Sequence, residues 1–293
     1  MLYPIREGDR ITIDPRRRHR CGCALAFASV LLASTALAQE PPIEVNPNRP
    51  TFATPARTTQ YGVAELEFGV QQSYLHRGRT AFSSPTLLKL GVATDFEVRI
   101  STNGFLDLGA PGAAAVTGAA DFALGAQWCF ARRALAGADW AVQATHKFAT
   151  ASSRRGLGSG AADTTLGLFA SRDFGPNHVD VNALVTWLGV PAGSGGGHDG
   201  QPAGAVSVSH ELSDTWSFGG ELYAIGGTPH NERVVSNLWY VAYQPFGRLV
   251  LDTGVDVGLT RGAERVSLFA GLTWGIGRFL RPHPLSRTRP SAW

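Results

Sequence analysis

Ten carboxylates fall on one parity of short stretches whose other parity is apolar: Glu65, Glu67, Glu97, Asp121, Asp163, Asp180, Glu211, Glu221, Asp252 and Asp256. Few bases share that parity, chiefly Lys89, Arg99 and Lys147. Two outcomes follow from such a set. Gathered around an aqueous path, the acids would attract cations and disfavour anions, as charged rings do in pores. Paired with the bases and with hydroxyls, they would fill the space they surround. Covalent chemistry has much less support. The histidines His76, His146, His178, His198, His210, His230 and His283 are scattered, without H-E-x-x-H or a cysteine pair for zinc. His146 and His210 sit on the apolar parity, but the next residue on the His146 face is Phe148, which cannot serve as a nucleophile. The glycine-rich stretches at 156–161 and 193–200 lack the Gly-Lys-Ser/Thr ending of a phosphate loop, and no helix pattern follows them. They read as flexible loops, and Arg154-Arg155 as solvated loop charges. No catalytic residue, metal site, cofactor or nucleic-acid partner is expected.

The elements that position these residues are strands. Val179, Val181, Ala183, Val185 and Trp187 alternate with Asp180, Asn182 and Thr186, and Val266 to Ile276 alternates with Ser267, Gly271 and Thr273. Successive side chains of a strand point to opposite faces, so this period of two marks two-faced strands. About twelve such runs begin near residues 61, 85, 96, 118, 138, 162, 177, 203, 215, 232, 247 and 264. Short connections such as Thr94-Asp95 and Ser213-Asp214-Thr215 alternate with longer ones at 104–119, 150–161 and 191–202. An even number of amphipathic strands with this alternation predicts an all-β fold, a single closed antiparallel transmembrane barrel of about twelve strands. Closure is required because an open sheet edge cannot be satisfied in hydrocarbon. Trp128, Trp140, Trp187, Trp216, Trp239 and Trp274 share the apolar parity and are expected to form interfacial girdles.

The chain has 293 residues, only 17% of them charged, and three cysteines. Arg16-Arg17-Arg18-His19-Arg20, an apolar run over 24–37 and the small residues of Ala36-Leu37-Ala38 predict a signal peptide over 1–38. Without it the charges balance at roughly 20 of each sign, so the basic excess says little about nucleic acid. Only Cys129 would remain, which excludes an intrachain disulfide. A Pro-rich segment, 39–60, is expected on the periplasmic side, with the barrel over 61–280 and a basic tail over 281–293.

Arg49-Pro50, Phe52, Pro55, Gly62, Glu65 and Gly69 resemble the opening of a bacterial outer-membrane transporter family of the "MetA-pathway of phenol degradation" type. Gly91, Asp95, Glu97 and Arg99, then Asp163 and Gly167, are similar in style to later parts of that family. The resemblance implies an outer-membrane barrel linked with uptake of hydrophobic or aromatic compounds. The expected function is passive or facilitated passage of small molecules, with outer-membrane lipid and lipopolysaccharide as surroundings. A rigid structural or adhesive barrel with a filled lumen is the alternative. The tail after Phe279-Leu280 departs from barrels that end at an aromatic residue of the last strand.

Overall fold

A computed structural model describes residues 40–281. The expected signal peptide and the tail beyond residue 281 lie outside the described residues. Twelve antiparallel strands run Val63–Tyr74, Thr80–Ser83 continued by Thr86–Ala93, Phe96–Thr102 continued by Phe105–Gly109, Val116–Ala119 continued by Phe122–Ala131, Asp139–Phe148, Asp163–Phe174, Asn177–Gly189, His198–Glu211, Trp216–Ile225, Val234–Phe246, Leu249–Gly258 and Val266–Arg278. Neighbours in sequence are neighbours in the sheet, and the last strand pairs with the first from Val63↔Arg278 to Tyr74↔Val266. The sheet is therefore a closed barrel. Among the described residues, no helix is long and apolar enough to cross a membrane.

The connections separate the two rims. At one rim they span 94–95, 132–138, 175–176, 212–215 and 247–248; at the other, 75–79, 110–115, 149–162, 190–197, 226–233 and 259–265. The first strand starts, and the last strand ends, at the rim of short turns. Three strands are longer than their periodicity predicts. Ser84-Pro85, Asn103-Gly104 and Ala120-Asp121 interrupt the second, third and fourth strands at matching heights. Pro85 can donate no ladder bond, so in sequence the upper pieces read as loops. The stretch expected as a loop over 104–119 instead holds the Phe105–Gly109 and Val116–Ala119 pieces, paired to one another. The eighth strand likewise starts at His198, inside a Gly-rich stretch. Above the breaks, Val116–Ala119 pairs only with the third strand, and the connection 149–162 lies where a further partner would be. Leu157 of that connection is buried and packs against Gly118.

Parity sorts the side chains. Phe68, Leu124, Leu168, Val181, Leu222 and Leu251 are exposed on the outer face, while Glu65, Lys89, Gln127, Asp180 and Thr273 are buried on the inner face. This is a soluble protein turned inside out, and it suits an apolar surrounding. Trp128, Trp187, Trp216, Trp239 and Trp274 are all exposed, and Trp140 is half-buried with its indole N–H donated to the Leu135 carbonyl at 3.1 Å. Trp128, Trp140, Trp216 and Trp274 lie near the short-turn rim and Trp187 near the other. Trp239 departs from the girdle pattern: it lies midway along its strand, stacks on Phe218, and donates its N–H to Asn237.

Candidate functional site: the lumen and the segment across it

The Pro-rich segment is not outside the barrel. Residues 43–60 enter at the short-turn rim, where Val45 N–H donates to the Gly247 carbonyl at 2.9 Å, and return to the first strand at the same rim. Between these points the segment passes among inward side chains of most of the strands. Prolines and the absence of period two give it no ladder of its own, so its backbone donors need side-chain acceptors. The inward carboxylates supply them.

The leading part is fixed to the first, second and eleventh strands. Lys89 is fully buried, with Nζ 2.6 Å from Glu65 Oε1 and 2.7 Å from Glu67 Oε1. It also donates to the Asn46 carbonyl at 2.5 Å and to Asn48 Oδ1 at 3.0 Å. The two glutamates accept from the backbone N–H of Asn46 (3.0 Å), Asn48 (2.8 Å) and Arg49 (3.0 Å). Arg49 then makes a two-pronged pair with Asp252 at 3.0 and 3.2 Å. Gly69 and Gly271 face each other in register beneath it, and a Cβ at either position would collide with the guanidinium. Such charge-assisted bonds are short and are what makes burying these charges tolerable.

The middle and trailing parts cross to the far wall. Glu221 takes the N–H of Phe52 at 2.7 Å and of Ala53 at 2.6 Å, and Asn182 brackets Thr54 through bonds of 2.6 and 2.9 Å. Ala56 N–H donates to Ser171 Oγ at 2.7 Å, and its methyl joins Cys129, Ala141 and Phe169 in a small buried apolar cluster. Gln127 donates to the Pro55 carbonyl at 2.8 Å, and Thr59 N–H reaches Glu97 Oε2 at 2.6 Å. Arg57 pairs with Asp139 at 2.6 Å and with Asp173 at 3.3 Å. Burial works against the Arg57 charge, but the hydrogen bond and attraction of Asp139 outweigh it and hold the guanidinium above its ordinary pKa.

The remaining candidate residues fall into smaller groups. Arg99 pairs with Glu97 at 2.6 Å, and Lys147 sits 2.6 Å from Asp163 and 3.5 Å from Asp121. Asp180 accepts from Ser171 at 2.5 Å and lies 3.1 Å from His178. Asp256 accepts from Tyr223 at 2.6 Å and from Ser236, with no basic partner among the described residues. Glu211 is exposed near the short-turn rim. Most of the acids are thus engaged by the crossing segment or by a base.

Among the described residues a chamber lies on each side of the segment. The outer, towards the long connections, has a volume of about 1030 Å³ and is lined by Arg49, Thr51, Phe52, Tyr223, Leu238 and Glu264, among others. Phe52 and Tyr223 stack there with ring centroids 5.0 Å apart. The inner chamber has about 400 Å³ and is lined by hydroxyls, including Ser171, Ser207, Ser209 and Tyr240, with Arg49 and Thr51 again on its boundary. On the outer face, His146 Nδ1 meets the Thr164 hydroxyl at 3.0 Å and its ring lies edge-on to Phe148. Among the described residues no three His, Cys, Asp or Glu side chains are placed to hold a metal ion.

Arg49, Arg57, Asn182, Ser171, Gln127 and the Phe52–Tyr223 pair carry the arrangement, and alternation singles out none of them as site residues. Arg49, Phe52 and Gly69 stand out in the sequence only through the resemblance.

No family model and no curated protein matches the chain. Solved structures match in fold. The COG4313 outer membrane channel from Pseudomonas putida F1 superposes with a TM-score of 0.57 at 12% identity, covering 79% of this chain and 99% of that one. The NanC porin superposes with a TM-score of 0.51 at 9% identity, covering 72% and 98%.

Proposed function

We propose that the chain is an outer-membrane channel for passive or facilitated passage of small molecules, hydrophobic and aromatic ones included. The observation that carries this reading is the outer chamber. It has room for a small organic molecule, offers the Phe52–Tyr223 pair and the aliphatic side chains of Leu87, Leu106, Ile225 and Leu238, and ends on the crossing segment. Sites for small ligands combine apolar walls with a few placed polar groups, and Asp256 and Glu264 provide those here. Membership of the "MetA-pathway of phenol degradation" type of transporter is part of the same proposal, as is the periplasmic location of the short-turn rim.

Cation preference is proposed to be weak, since most inward acids are already engaged. The test is single-channel recording of the signal-free protein in a planar bilayer under a salt gradient, beside a variant lacking residues 42–58. The native barrel should show small, cation-preferring conductance, and the deletion should raise it at least about threefold, because twelve strands enclose more space than side chains fill. Silence from both folded proteins would leave the alternative of a structural barrel, which the crossing segment itself favours.

A further inference from the structure

The connection 132–138 differs from the other turns at its rim. It is the longest of them, and it holds two L-residues in the left-handed region, Arg133 at φ 47° and Ala136 at φ 58°. Each such residue costs about 1–2 kcal/mol, and Leu135 between them is 74% exposed. The apolar surround continues along the outer wall through Trp128, Phe130 and Phe174, all roughly half exposed.

Positive charge rims this patch. Arg172, on the outward parity of the sixth strand, lies with Cζ 4.4 Å above the Phe174 ring and donates one N–H to the Ala136 carbonyl. That contact holds the guanidinium against residues 136 and 137 of the connection. Arg133 is exposed, and its charge acts on the Asp173 carboxylate, which Arg57 and His178 also share. Arg132 pairs with Asp95. Asp139, next along the chain, faces inward and is occupied by Arg57 and by the Arg133 backbone N–H at 2.8 Å. With Asp95, Asp139 and Asp173 set against Arg57, Arg132, Arg133 and Arg172, the corner keeps a net positive charge, and Arg172 carries it to the outward side beside residues 135–137 and the Trp140 indole.

We propose that the corner formed by 132–138, Arg172 and Phe174 is a binding site for an anionic phospholipid of the leaflet at the short-turn rim. Leu135, Trp128 and Phe130 lie along the acyl chains, and the Arg133 and Arg172 guanidiniums take the phosphate and the anionic headgroup. Arginine offers forked donors that match phosphate geometry, and apolar-plus-cationic surfaces bind anionic lipid at the interface. The inference rests on the membrane-spanning reading above and assigns one lipid class to one corner of the wall.

The test uses the whole barrel, purified in nonionic detergent, with native mass spectrometry during titration with phosphatidylglycerol, phosphatidylethanolamine or lipopolysaccharide. The expected result is one retained phosphatidylglycerol per barrel, held at least about tenfold more tightly than phosphatidylethanolamine. Arg133→Gln with Arg172→Gln should erase that preference, whereas Arg133→Lys should keep most of it. Equal retention of phosphatidylglycerol and phosphatidylethanolamine, an unchanged preference in the double variant, or preferential retention of lipopolysaccharide would overturn the assignment. Heat-dependent gel migration and insertion into phosphatidylethanolamine vesicles keep the two readings apart. A barrel that folds and inserts without the lipid preference sinks this inference alone, and one that never inserts sinks the membrane reading.

Discussion

The two ends of the lumen segment are held by different physics. At the leading end, Lys89 is wholly buried with Glu65 and Glu67, and every charge there has hydrogen bonds as well as a counter-ion. At the trailing end, Arg57 leaves 45% of its side chain in contact with solvent while it reaches Asp139 and Asp173. Buried pairs are unforgiving of a missing partner, whereas exposed pairs are screened and individually weak. The contrast lies in the charges alone: residues 54–59 have no buried ion pair of their own and are held by burial of Ala56 and Thr59 and by bonds to Asn182, Ser171, Gln127 and Glu97.

The strongest test of this contrast is Lys89→Met. It strands two buried carboxylates and should destabilise the barrel by about 3–5 kcal/mol, read as a lower urea midpoint for loss of the heat-modifiable folded form. A native midpoint would mean that the leading end is no fixed anchor. Next comes Glu221→Gln, which keeps the shape but weakens two charge-assisted bonds to Phe52 and Ala53. A loss of about 1–3 kcal/mol in segment docking is expected, seen as added open-state flicker in single-channel traces with little change in the unfolding midpoint. Arg57→Ala should have the smallest effect, about 0.2–1 kcal/mol. Amide exchange at residues 54–59 should quicken in low salt, and the native protein should approach the variant's rate at 1 M salt, where the Debye length is about 3 Å. An equal response to salt at both ends of the segment in the native protein would erase the distinction.

Legibility in the sequence followed the period-two signal and stopped where other rules governed. Val179 to Trp187 reads as a strand because every second residue meets an apolar surround. The pieces Phe105–Gly109 and Val116–Ala119 do not, since Gly104, Gly109 and Gly118 around them carry the composition of a loop. The inward carboxylates could be assigned a face by parity, but their partners could not be found that way. Glu221 looks like a free lumen charge until Phe52 and Ala53 N–H are placed against it, and backbone donors have no residue signature. The Pro-rich composition of 41–55 says only that this stretch makes no ladder of its own. That need for external acceptors, set beside an excess of inward acids, was the one available hint that the two belong together.

The path of this segment also bears on assembly. Its start beside Gly247 and its return at Gly62 lie on the same rim, so it enters the lumen as a bight and not as a thread. No free end has to be passed through a finished ring, in keeping with the rarity of threaded chains. The first and last strands can therefore zip into a hollow cylinder before the bight is tucked in. The late step then requires only that the rim of short turns be open to one compartment.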